Sequence, residues 1–252
     1  MTTVDLNCDL GEGAGSDAEL MPLITSANIA CGAHAGDSGS MRAAVEMASR
    51  HRVAVGAHPG FDDRAHFGRR ELPVTGIETV ELVLRQVRAL QAVAKSLGTP
   101  LAHVKPHGGL YNLAARDRRI ADAVALAVWK ADPDLILFGL AGSQLLAAGR
   151  ARGLRVASEA FADRAYRVDG FLVPRGREGA VLEDASAVAA QGVSLVCQGR
   201  ARAVEGGDVP IAADTLCLHG DGAGAVAFAL RLRAGLAAAG VGFRAVEPRS
   251  AG

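Results

Sequence analysis

Six apolar, strand-like runs of this 252-residue chain each end in a polar cluster flanked by glycine or other small residues. These clusters contain most of the ionisable side chains that have small neighbours, and they cover residues 5–12, 28–37, 55–60, 103–109, 156–159 and 216–221. In a protein built from βα repeats, the loops that follow the strands all open on one face. We therefore expect the separate motifs to converge into one site.

The first cluster places polar side chains on one side of a strand. Asp5, Asn7 and Asp9 alternate with apolar residues, so all three point the same way in an extended chain. A strand with one solvated face would explain this pattern, but a strand inside a barrel has no solvated face. Because buried carboxylates need a partner or a task, we interpret the three residues as part of a site.

Four of the seven histidines follow strands at equivalent positions, among glycine, alanine or proline: His34, His58, His107 and His219. Any one of them alone is equally consistent with a structural role, whereas the set favours a functional one. Histidines and carboxylates at a barrel mouth could also bind a divalent metal. The chain has no H-E-x-x-H motif and no local H-x-H pair, so such ligands would come from distant loops.

The basic residues are nearly all arginine, with lysine only at positions 95, 105 and 130. Lys105, at the end of a strand, is therefore notable, and the alternative for it is a solvated side chain. Arginines cluster in residues 61–70 and 163–175, where they could bind carboxylate or phosphate or form salt bridges with neighbouring aspartates. The sequence has no serine in a G-x-S-x-G context and no G-x-x-x-x-G-K-[ST] phosphate loop.

The composition restricts the class of protein. Half of the residues are hydrophobic, and 27 Lys and Arg residues balance 27 Asp and Glu residues, which argues against nucleic acid or an acidic membrane as partner. The four cysteines form no C-x-x-C pair and are expected to be free thiols. The chain enters a strand at once and has no run of about 18 apolar residues, so we expect a cytoplasmic protein.

Strands and helices alternate along the chain. A Thr75-x-x-Glu78 capping box opens the clearest helix, which ends near Gly98 and leads into a strand at 101–105. Further helices are predicted at 40–50, 117–130, 143–152, 183–191 and 225–239. Further strands are predicted at 4–10, 53–57, 135–140, 155–159 and 215–218. A short extended piece is predicted at 170–173 and an exposed loop at 199–210. The alternation predicts a single α/β domain over residues 1–252, a parallel βα barrel of seven or eight strands with a frayed tail at 247–252.

Taken together, the motifs resemble those of the LamB/YcsF family, in unbroken order from the first strand to the last helix. The resemblance rests on Asp5-x-Asn7-x-Asp9-x-Gly11-Glu12, Asn28-Ile-Ala-Cys-Gly-x-His34-x-Gly-Asp37, Gly56-Ala-His58-Pro59, Phe67-Gly-Arg69-Arg70, Val104-Lys105-Pro-His107-Gly-x-Leu-Tyr111-Asn112, Glu159-x-Phe-Ala-Asp163-Arg164-x-Tyr166, Asp169-Gly-x-Leu-Val-Pro174-Arg175 and His219-Gly-Asp221. The chain departs from the family pattern at Gly13-Ala14, Gly60-Phe61-Asp62 and Gly222-Ala223.

The resemblance implies a deformed TIM-like barrel of the glycoside hydrolase and deacetylase type. It also implies the activity of prokaryotic 5-oxoprolinase, in which an A subunit works with B and C subunits. That enzyme opens the lactam of 5-oxo-L-proline to L-glutamate while ATP, with Mg²⁺, is cleaved to ADP and phosphate. Self-association is compatible with the resemblance, and a tightly bound metal, if one is present, would be held by side chains among Asp5, His34, His58, His107, Glu159 and His219.

Residue chemistry and resemblance together predict a catalytic set and a substrate-binding set. The catalytic set is expected to line one pocket at the C-terminal face of the barrel and consists of Asp5, Asn7, His34, His58, Lys105, His107, Glu159 and His219. Asp5 or Glu159 is the expected base, and Lys105 the neutralising cation. His58 and His107 are the expected hydrogen-bond donors to the oxyanion or the leaving nitrogen. The substrate-binding set consists of Asp9, Arg64, Arg69, Tyr111, Arg164 and Asp221.

Two alternative functions stay open. The dispersed histidines and the fold resemblance suggest a metal-dependent, deacetylase-like hydrolase. A noncatalytic subunit that only presents 5-oxoproline to its partners would also need the pocket, but it would not need the acid and base groups.

Overall fold

The computed structural model describes residues 2–220, 222 and 224–247. These residues form ten strands: β1 (Thr3–Leu10), β2 (Ser26–Ala30), β3 (Ala54–His58), β4 (Leu101–Val104), β5 (Ile136–Leu140), β6 (Arg155–Phe161), β7 (Arg200–Arg202), β8 (Asp208–Pro210), β9 (Thr215–Leu218) and β10 (Gly242–Phe243). They also form eight α-helices: α1 (Asp17–Leu20), α2 (Ser38–His51), α3 (Gly76–Ser96), α4 (Gly108–Arg116), α5 (Arg118–Ala131), α6 (Gln144–Ala151), α7 (Ala185–Val193) and α8 (Ala225–Ala238).

Seven of these strands form a closed parallel barrel. Their order around the ring is β1, β2, β3, β4, β5, β6 and β9, and β9 closes the ring because it pairs with both β6 and β1. β10 pairs in parallel with the start of β1 as an additional strand outside the ring. The parallel βα barrel that the sequence predicts is confirmed, with seven strands in the ring.

The two faces of β1 are both buried but differ in polarity. Leu6, Cys8 and Leu10 belong to the large apolar cluster that also includes residues of the surrounding helices. The alternate residues Asp5 and Asp9 bond to side chains of neighbouring strands inside the ring. The strict alternation in this strand therefore separates an apolar outer layer from a polar interior.

The interior is polar on one side and apolar on the other. Ile136, Phe138 and Ala157, from β5 and β6, form a separate buried apolar cluster. The ring of Phe138 stacks on His103 of β4 with their centroids 4.2 Å apart, and His103 Nε2 lies 2.8 Å from Asn28 Oδ1. His103 therefore bridges the two sides of the interior at the middle of the barrel.

The capping box predicted for α3 is present, because Thr75 Oγ1 accepts from the Glu78 N–H and the Glu78 carboxylate accepts from the Thr75 N–H. One apolar residue of α3 lies away from its buried face. Ile77 is 75% exposed, whereas Val83 and Leu90 are fully buried. Ile77 precedes Val83 by six residues, which places it roughly 120° around the helix from the buried face.

The structure adds detail to the extended piece predicted at 170–173 and differs from the sequence-based prediction in other segments, among them α1 and β10, which were not predicted. Residues 170–173 form an isolated bridge between Tyr166 and Leu172 and not a strand. Residues 199–210, predicted as an exposed loop, contain the antiparallel hairpin of β7 and β8. The sequence pattern does not predict α4, because the two glycines at its start, Gly108 and Gly109, have low helix propensity.

The predicted tail begins at Glu247, the last of the described residues, and its other positions, 248–252, lie outside them. Within the described part of the chain, no helix combines the length and the apolar character that crossing a membrane requires.

Candidate active site

A cavity of about 390 Å³ opens at the C-terminal ends of the barrel strands. Loops after β1, β3, β4, β6 and β9 contribute to its wall, and its lining includes Asp9, Glu12, His58, Arg69, Lys105, His107, Tyr111, Phe161, Arg164, Arg175 and His219. This volume suits a small molecule. The separate motifs thus meet on one face, as a barrel of this kind requires.

Lys105 lies just beyond β4 and is buried, with 2% of its side chain exposed. Its Nζ lies 2.8 Å from Asp9 Oδ1, 2.8 Å from Glu159 Oε1 and 3.1 Å from Asn7 Oδ1. Burial alone would lower the pKa of Lys105, but the nearby negative charges, Asp9 first among them, hold it well above its ordinary value. The solvated alternative is wrong, because this ammonium is shared by two buried carboxylates.

Two backbone carbonyls fix the hydrogen positions on His58 and His107. His58 Nδ1 lies 2.7 Å from the carbonyl oxygen of Lys105, and His107 Nε2 lies 2.8 Å from that of Phe67. A carbonyl oxygen only accepts, so each of these nitrogens carries a hydrogen. The remaining two nitrogens, His58 Nε2 and His107 Nδ1, face each other at 2.9 Å. One proton must therefore lie between them.

The surrounding charges decide which histidine holds that proton. Burial alone would lower the pKa of His58, but the Asp9 carboxylate, 3.3 Å from His58 Nε2, outweighs burial and raises it. Burial lowers the pKa of His107 well below its ordinary value, and the charges of His58 and His34 lower it further. His58 is therefore the imidazolium, and it donates through Nε2 to His107 Nδ1.

Glu12 lies among three histidines on the loop after β1. Its Oε1 is 3.1 Å from His34 Nε2, 3.4 Å from His107 Nδ1 and 3.8 Å from His58 Nε2. Burial lowers the pKa of His34, so this imidazole is neutral and donates through Nε2 to Glu12. The His34 ring stacks on His107 with centroids 3.8 Å apart, which fixes both rings beside the carboxylate.

Glycines allow the backbone to approach these histidines closely. A Cβ on Gly60 would lie 2.6 Å from His34 Nδ1, and a Cβ on Gly68 would lie 2.6 Å from His34 Cβ. Gly68 also has a φ of +62°, which other residues rarely adopt. At these two positions the small residues allow the imidazole rings to pack closely against the backbone.

Glu159 is fully buried beneath the cavity and is not part of its lining. Its Oε2 accepts from the Tyr111 hydroxyl at 2.7 Å, while Oε1 forms the ion pair with Lys105 and has no further donor. Burial raises the pKa of Tyr111 well above its ordinary value, and the charge of Glu159 raises it further. The phenol therefore stays protonated and donates to Glu159.

The partly exposed His219 and the buried Asp163 form a second pair at the cavity wall. His219 Nδ1 lies 2.9 Å from Asp163 Oδ2, and the imidazole stacks against Phe161 with centroids 5.5 Å apart. Burial alone would raise the pKa of Asp163, but His219 outweighs burial and lowers it. Asp221, which the sequence predicts as a substrate contact, lies outside the described residues.

The predicted substrate-binding arginines differ in position. Arg64 donates to the backbone carbonyls of Gly32 and Gly36 and is not part of the cavity lining. Arg69 lines the cavity and lies over the Phe67 ring, 4.9 Å from its centroid. The structure therefore brings only one of these two arginines to the cavity.

Arg164 lines the cavity although it is buried. Its guanidinium donates to the carbonyl oxygens of Ala180 and Val173, so it ties together the loop after β6. Burial, and then the charge of Arg175, lower the pKa of Arg164 to about 10. These two hydrogen bonds hold the loop in place, whichever ligand binds in the cavity.

Asp5 and Asn7 lie deeper in the barrel than the cavity. Asp5 accepts hydrogen bonds from the hydroxyls of Thr25, Ser26 and Thr215, and it borders a cleft at the N-terminal end of the barrel. The prediction that the whole catalytic set lines one pocket is therefore wrong for Asp5 and Asn7, and also for His34 and Glu159, none of which is part of the cavity lining. Inward residues of one strand are spaced about 6.6 Å apart, so a single strand spans several levels of the interior.

Four side chains have the composition of a metal site: one potential ligand atom from each of Glu12, His34, His58 and His107 lies within 4.8 Å of the others. On a tetrahedral zinc with Zn–N bonds of about 2.0–2.1 Å, two nitrogens lie roughly 3.3 Å apart. The 2.9 Å between His58 and His107 is a hydrogen-bond length instead. The stacked rings of His34 and His107 also cannot both direct a lone pair at one ion. This arrangement fits a shared proton and does not fit a metal ion.

A second group of potential ligands consists of Asp9, Cys217 and His219. Lys105 Nζ lies between two of them, 2.8 Å from Asp9 Oδ1 and 3.0 Å from Cys217 Sγ. Burial raises the pKa of Cys217 well above its ordinary value, so the sulfur is a thiol. An ammonium already occupies the position that a cation would take.

Among the cavity residues that are not in the sets predicted from the sequence are Glu12 and Arg175. Glu12 follows Gly11, whose φ of +74° ends the extended strand, so the alternation of β1 cannot tell which way Glu12 points. Arg175 lies in a loop without any periodic pattern. Both residues lie in polar motifs beside glycine or proline, and this is the sequence feature that could have identified them. Such a motif does not by itself show which way a side chain points.

The chain is similar to one protein family over nearly its whole length. The family model described as "LamB/YcsF family" matches residues 4–251. A protein from Geobacillus thermodenitrificans, named as the A subunit of 5-oxoprolinase, is 51% identical over 251 residues, which cover 98% of this chain and 98% of that protein.

Two solved structures show the same fold. The lactam utilization protein from Thermus thermophilus has a TM-score of 0.90 and 46% sequence identity, over 97% of this chain and 100% of that chain. A mutant of a CE4 family pseudoenzyme with restored enzymatic activity has a TM-score of 0.50 and 8% identity, over 96% of this chain and 65% of that chain. The second likeness is one of fold alone.

Proposed function

Because this chain belongs to the LamB/YcsF family, we propose that it acts as the A subunit of a 5-oxoprolinase. In the proposed reaction the lactam of 5-oxo-L-proline is opened to L-glutamate while ATP, bound with Mg²⁺, is cleaved to ADP and phosphate. B and C subunits are the proposed partners. The observation that carries this proposal is 51% identity to the A subunit of a 5-oxoprolinase over 98% of both chains.

The groups around the cavity suit the opening of a lactam. A lactam is an unreactive amide, so attack by water needs a base, a stabilised oxyanion and a proton for the leaving nitrogen. In the first proposed step the lactam oxygen takes the terminal phosphoryl group of ATP, and ADP leaves. We assign the base to Glu12, which takes a proton from water as the water oxygen bonds to the activated lactam carbon. The proton that His58 shares with His107 passes to the ring nitrogen as the C–N bond breaks, which leaves an acyl phosphate that a second water cleaves to L-glutamate and phosphate. Glu12 then returns its proton to the histidine pair, 3.4 to 3.8 Å away.

The other carboxylates are less suitable bases. Asp5 lies at the opposite end of the barrel, and both oxygens of Glu159 are engaged by Tyr111 and Lys105. Burial alone would raise the pKa of Asp9, but the charges of His58 and Lys105 hold it well below its ordinary value, so this carboxylate accepts a proton poorly.

The proposed role of Lys105 is to hold two carboxylates together under the cavity. Its ammonium lies 2.8 Å from both Asp9 and Glu159, so its positive charge is already compensated. A substrate carboxylate would gain little from a cation that two closer carboxylates share. We therefore assign Lys105 a positioning role in place of the substrate-neutralising one that the sequence suggests.

Reconstitution tests the proposed function. The chain is mixed with its proposed B and C partners, and release of glutamate from 5-oxoproline is followed with and without ATP. We expect ATP-dependent release from the complete mixture and little or none from this chain alone, since its sequence has no recognised nucleotide motif. Robust turnover by the isolated chain would remove the requirement for partners, and no turnover by the complete mixture would overturn the function.

The same mixture distinguishes the alternative functions. A Glu12→Gln variant that assembles and binds 5-oxoproline but does not turn it over would exclude a subunit that only presents the substrate. An X-ray fluorescence scan of protein purified without added metal tests the deacetylase-like hydrolase. We expect no stoichiometric metal, and stoichiometric zinc or manganese would favour that alternative.

A further inference from the structure

Arg175 lines the cavity from the loop after β6, and it differs from the other cavity cations in its partners. Lys105 is bonded to two carboxylates, and Arg70 is bonded to Asp63 at 3.0 Å. Within residues 2–220, 222 and 224–247, Arg175 makes no hydrogen bond or ion pair, although Asp163 and Arg164 are close enough to sense its charge. Its guanidinium therefore has its donors available at the wall of a small-molecule cavity.

The buried carboxylates of the site already have partners of their own. Asp9 and Glu159 share Lys105, and Asp163 lies 2.9 Å from His219. Glu12 accepts from His34 at 3.1 Å. None of these anions is left to pair with Arg175, so the charge of Arg175 is available to a ligand.

A second cation lies beside Arg175 and adds to this positive charge. The guanidinium of Arg164 donates to backbone carbonyls and not to a carboxylate. Burial lowers the pKa of Arg164 to about 10, and the repulsion from the charge of Arg175 is a second, smaller cause of this shift. An anion bound at Arg175 would offset this repulsion.

The backbone around Arg175 is held at the cavity wall. The Arg177 N–H donates to the Pro174 carbonyl at 2.9 Å and closes a turn that contains Arg175. Arg164 donates to the carbonyl of Val173 immediately before this turn. The base of the Arg175 side chain is thus fixed, while the residue is half-exposed at the cavity.

From these contacts we propose that Arg175 binds the carboxylate of a small ring substrate and forms an anion subsite at the cavity wall. A planar guanidinium suits two parallel hydrogen bonds to a carboxylate. This inference rests on the proposed function and deepens it: the site takes lactams that carry a carboxylate and discriminates against uncharged lactams of the same ring size. A phosphoryl group has related chemistry and is the competing source of the anion.

Calorimetric titration of the full chain tests the subsite with two probes, 5-oxoproline and 2-pyrrolidinone, which has the same ring without the carboxylate. Arg175→Met should weaken 5-oxoproline binding by about 10- to 100-fold, as expected for loss of a charge-assisted hydrogen-bonded pair, and leave 2-pyrrolidinone binding unchanged. Arg175→Lys keeps the charge without the fork and should give an intermediate loss. Arg177→Met, two residues away in the same exposed loop, is the matched control and should match the wild type.

Turnover in the reconstituted complex gives a second readout. Arg175→Met should raise KM for 5-oxoproline by a similar factor with kcat nearly unchanged, because the carboxylate is bound equally in the ground and transition states. Wild-type protein that binds both lactams equally would overturn the subsite. So would an Arg175→Met variant that is indistinguishable from Arg177→Met in both assays.

The binding measurement separates this inference from the proposed function. If the wild-type complex releases no glutamate but Arg175→Met selectively weakens 5-oxoproline binding, the function fails and the subsite stands. Inorganic phosphate is the third probe. If Arg175→Met loses phosphate binding while its affinity for 5-oxoproline equals that of the wild type, the subsite takes a phosphoryl group and the carboxylate assignment is overturned.

Discussion

The two ends of the barrel interior hold carboxylates from the same strand in opposite surroundings. At the N-terminal end, Asp5 accepts hydrogen bonds from three neutral hydroxyl groups. At the C-terminal end, Asp9 lies 2.8 Å from Lys105 and 3.3 Å from His58. Burial raises the pKa of Asp5, whereas the two cations outweigh burial at Asp9 and lower its pKa.

This difference shows that residue type and strand position do not determine the role of a buried carboxylate. Hydroxyl groups satisfy the oxygens of Asp5 without compensating its charge, while Lys105 and His58 compensate that of Asp9. Only the second arrangement creates fixed positive charge near a cavity. His103 separates the two ends, and burial lowers the pKa of His103 to about 3, so it is a neutral divider.

The largest effect is expected from removing the cation of the C-terminal end. Lys105→Met would leave Asp9 and Glu159 buried beside each other without their shared counter-charge. We expect the free energy of unfolding to fall by about 3–5 kcal/mol, measured by denaturant titration at neutral pH. The exposed Lys95→Met variant should unfold like the wild type. If the two variants were equally stable, the ion pairs of the C-terminal end would contribute no more to the free energy of unfolding than the hydroxyl groups around Asp5 do.

The next variant, also at the C-terminal end, is expected to lower turnover without lowering stability. Glu12→Gln keeps the size of the side chain but removes the proposed base, so we expect kcat of the reconstituted complex to fall by roughly 10²- to 10⁴-fold. Thermal unfolding should change little, because the amide can still accept from His34. Glu19→Gln, at an exposed position of α1, is the matched control. Near-normal turnover by Glu12→Gln would show that another group is the base.

A third variant disturbs the packing of His103, which lies between the two ends of the barrel interior. A Cβ on Gly56 would lie 2.0 Å from His103 Nε2, and the ring cannot move easily because it stacks on Phe138 and bonds to Asn28. We expect Gly56→Ala to lower the free energy of unfolding by about 1–3 kcal/mol. Gly76→Ala, where the added Cβ meets only Ala123 at 3.9 Å, is the control. A Gly56→Ala variant as stable as that control would mean that the middle layer is loosely packed.

The smallest effect is expected at the N-terminal end. Asp5→Asn should change the free energy of unfolding by about 1 kcal/mol and leave turnover unchanged, because the side chain is far from the cavity. The pKa of Asp5 is raised in the folded state above 3.8, so its contribution to stability is fully present below 3.8 and is lost as pH rises through the folded value.

The variant therefore should gain stability relative to the wild type as pH rises above about 3.8, measured by denaturant titration at several pH values. A relative loss with rising pH would show that Asp5 is stabilised as an anion, as Asp9 is. Loss of turnover comparable to that of Glu12→Gln would return Asp5 to the catalytic set.

The sequence by itself determined the elements and much of the architecture. The Thr75–Glu78 capping box and the helix it begins are present, since capping depends on residues only three apart. The alternation in β1 placed polar side chains inside the barrel, because successive side chains of a strand point to opposite faces. The repeated βα order predicted the parallel barrel, and the family motifs marked the loops that form its open face.

Only the tertiary structure decided what each polar side chain meets. Lys105 and Asp9 are 96 residues apart, and His103 and Asn28 are 75 apart, so no local pattern could show that these side chains touch. The direction of Glu12 depends on the turn at Gly11, and the hydrogens of His58 and His107 depend on carbonyls from other segments. Sequence periodicity specifies which face a side chain occupies, whereas the level along the barrel and the charge of the neighbours arise from strand register and ring closure, which join residues distant in the chain.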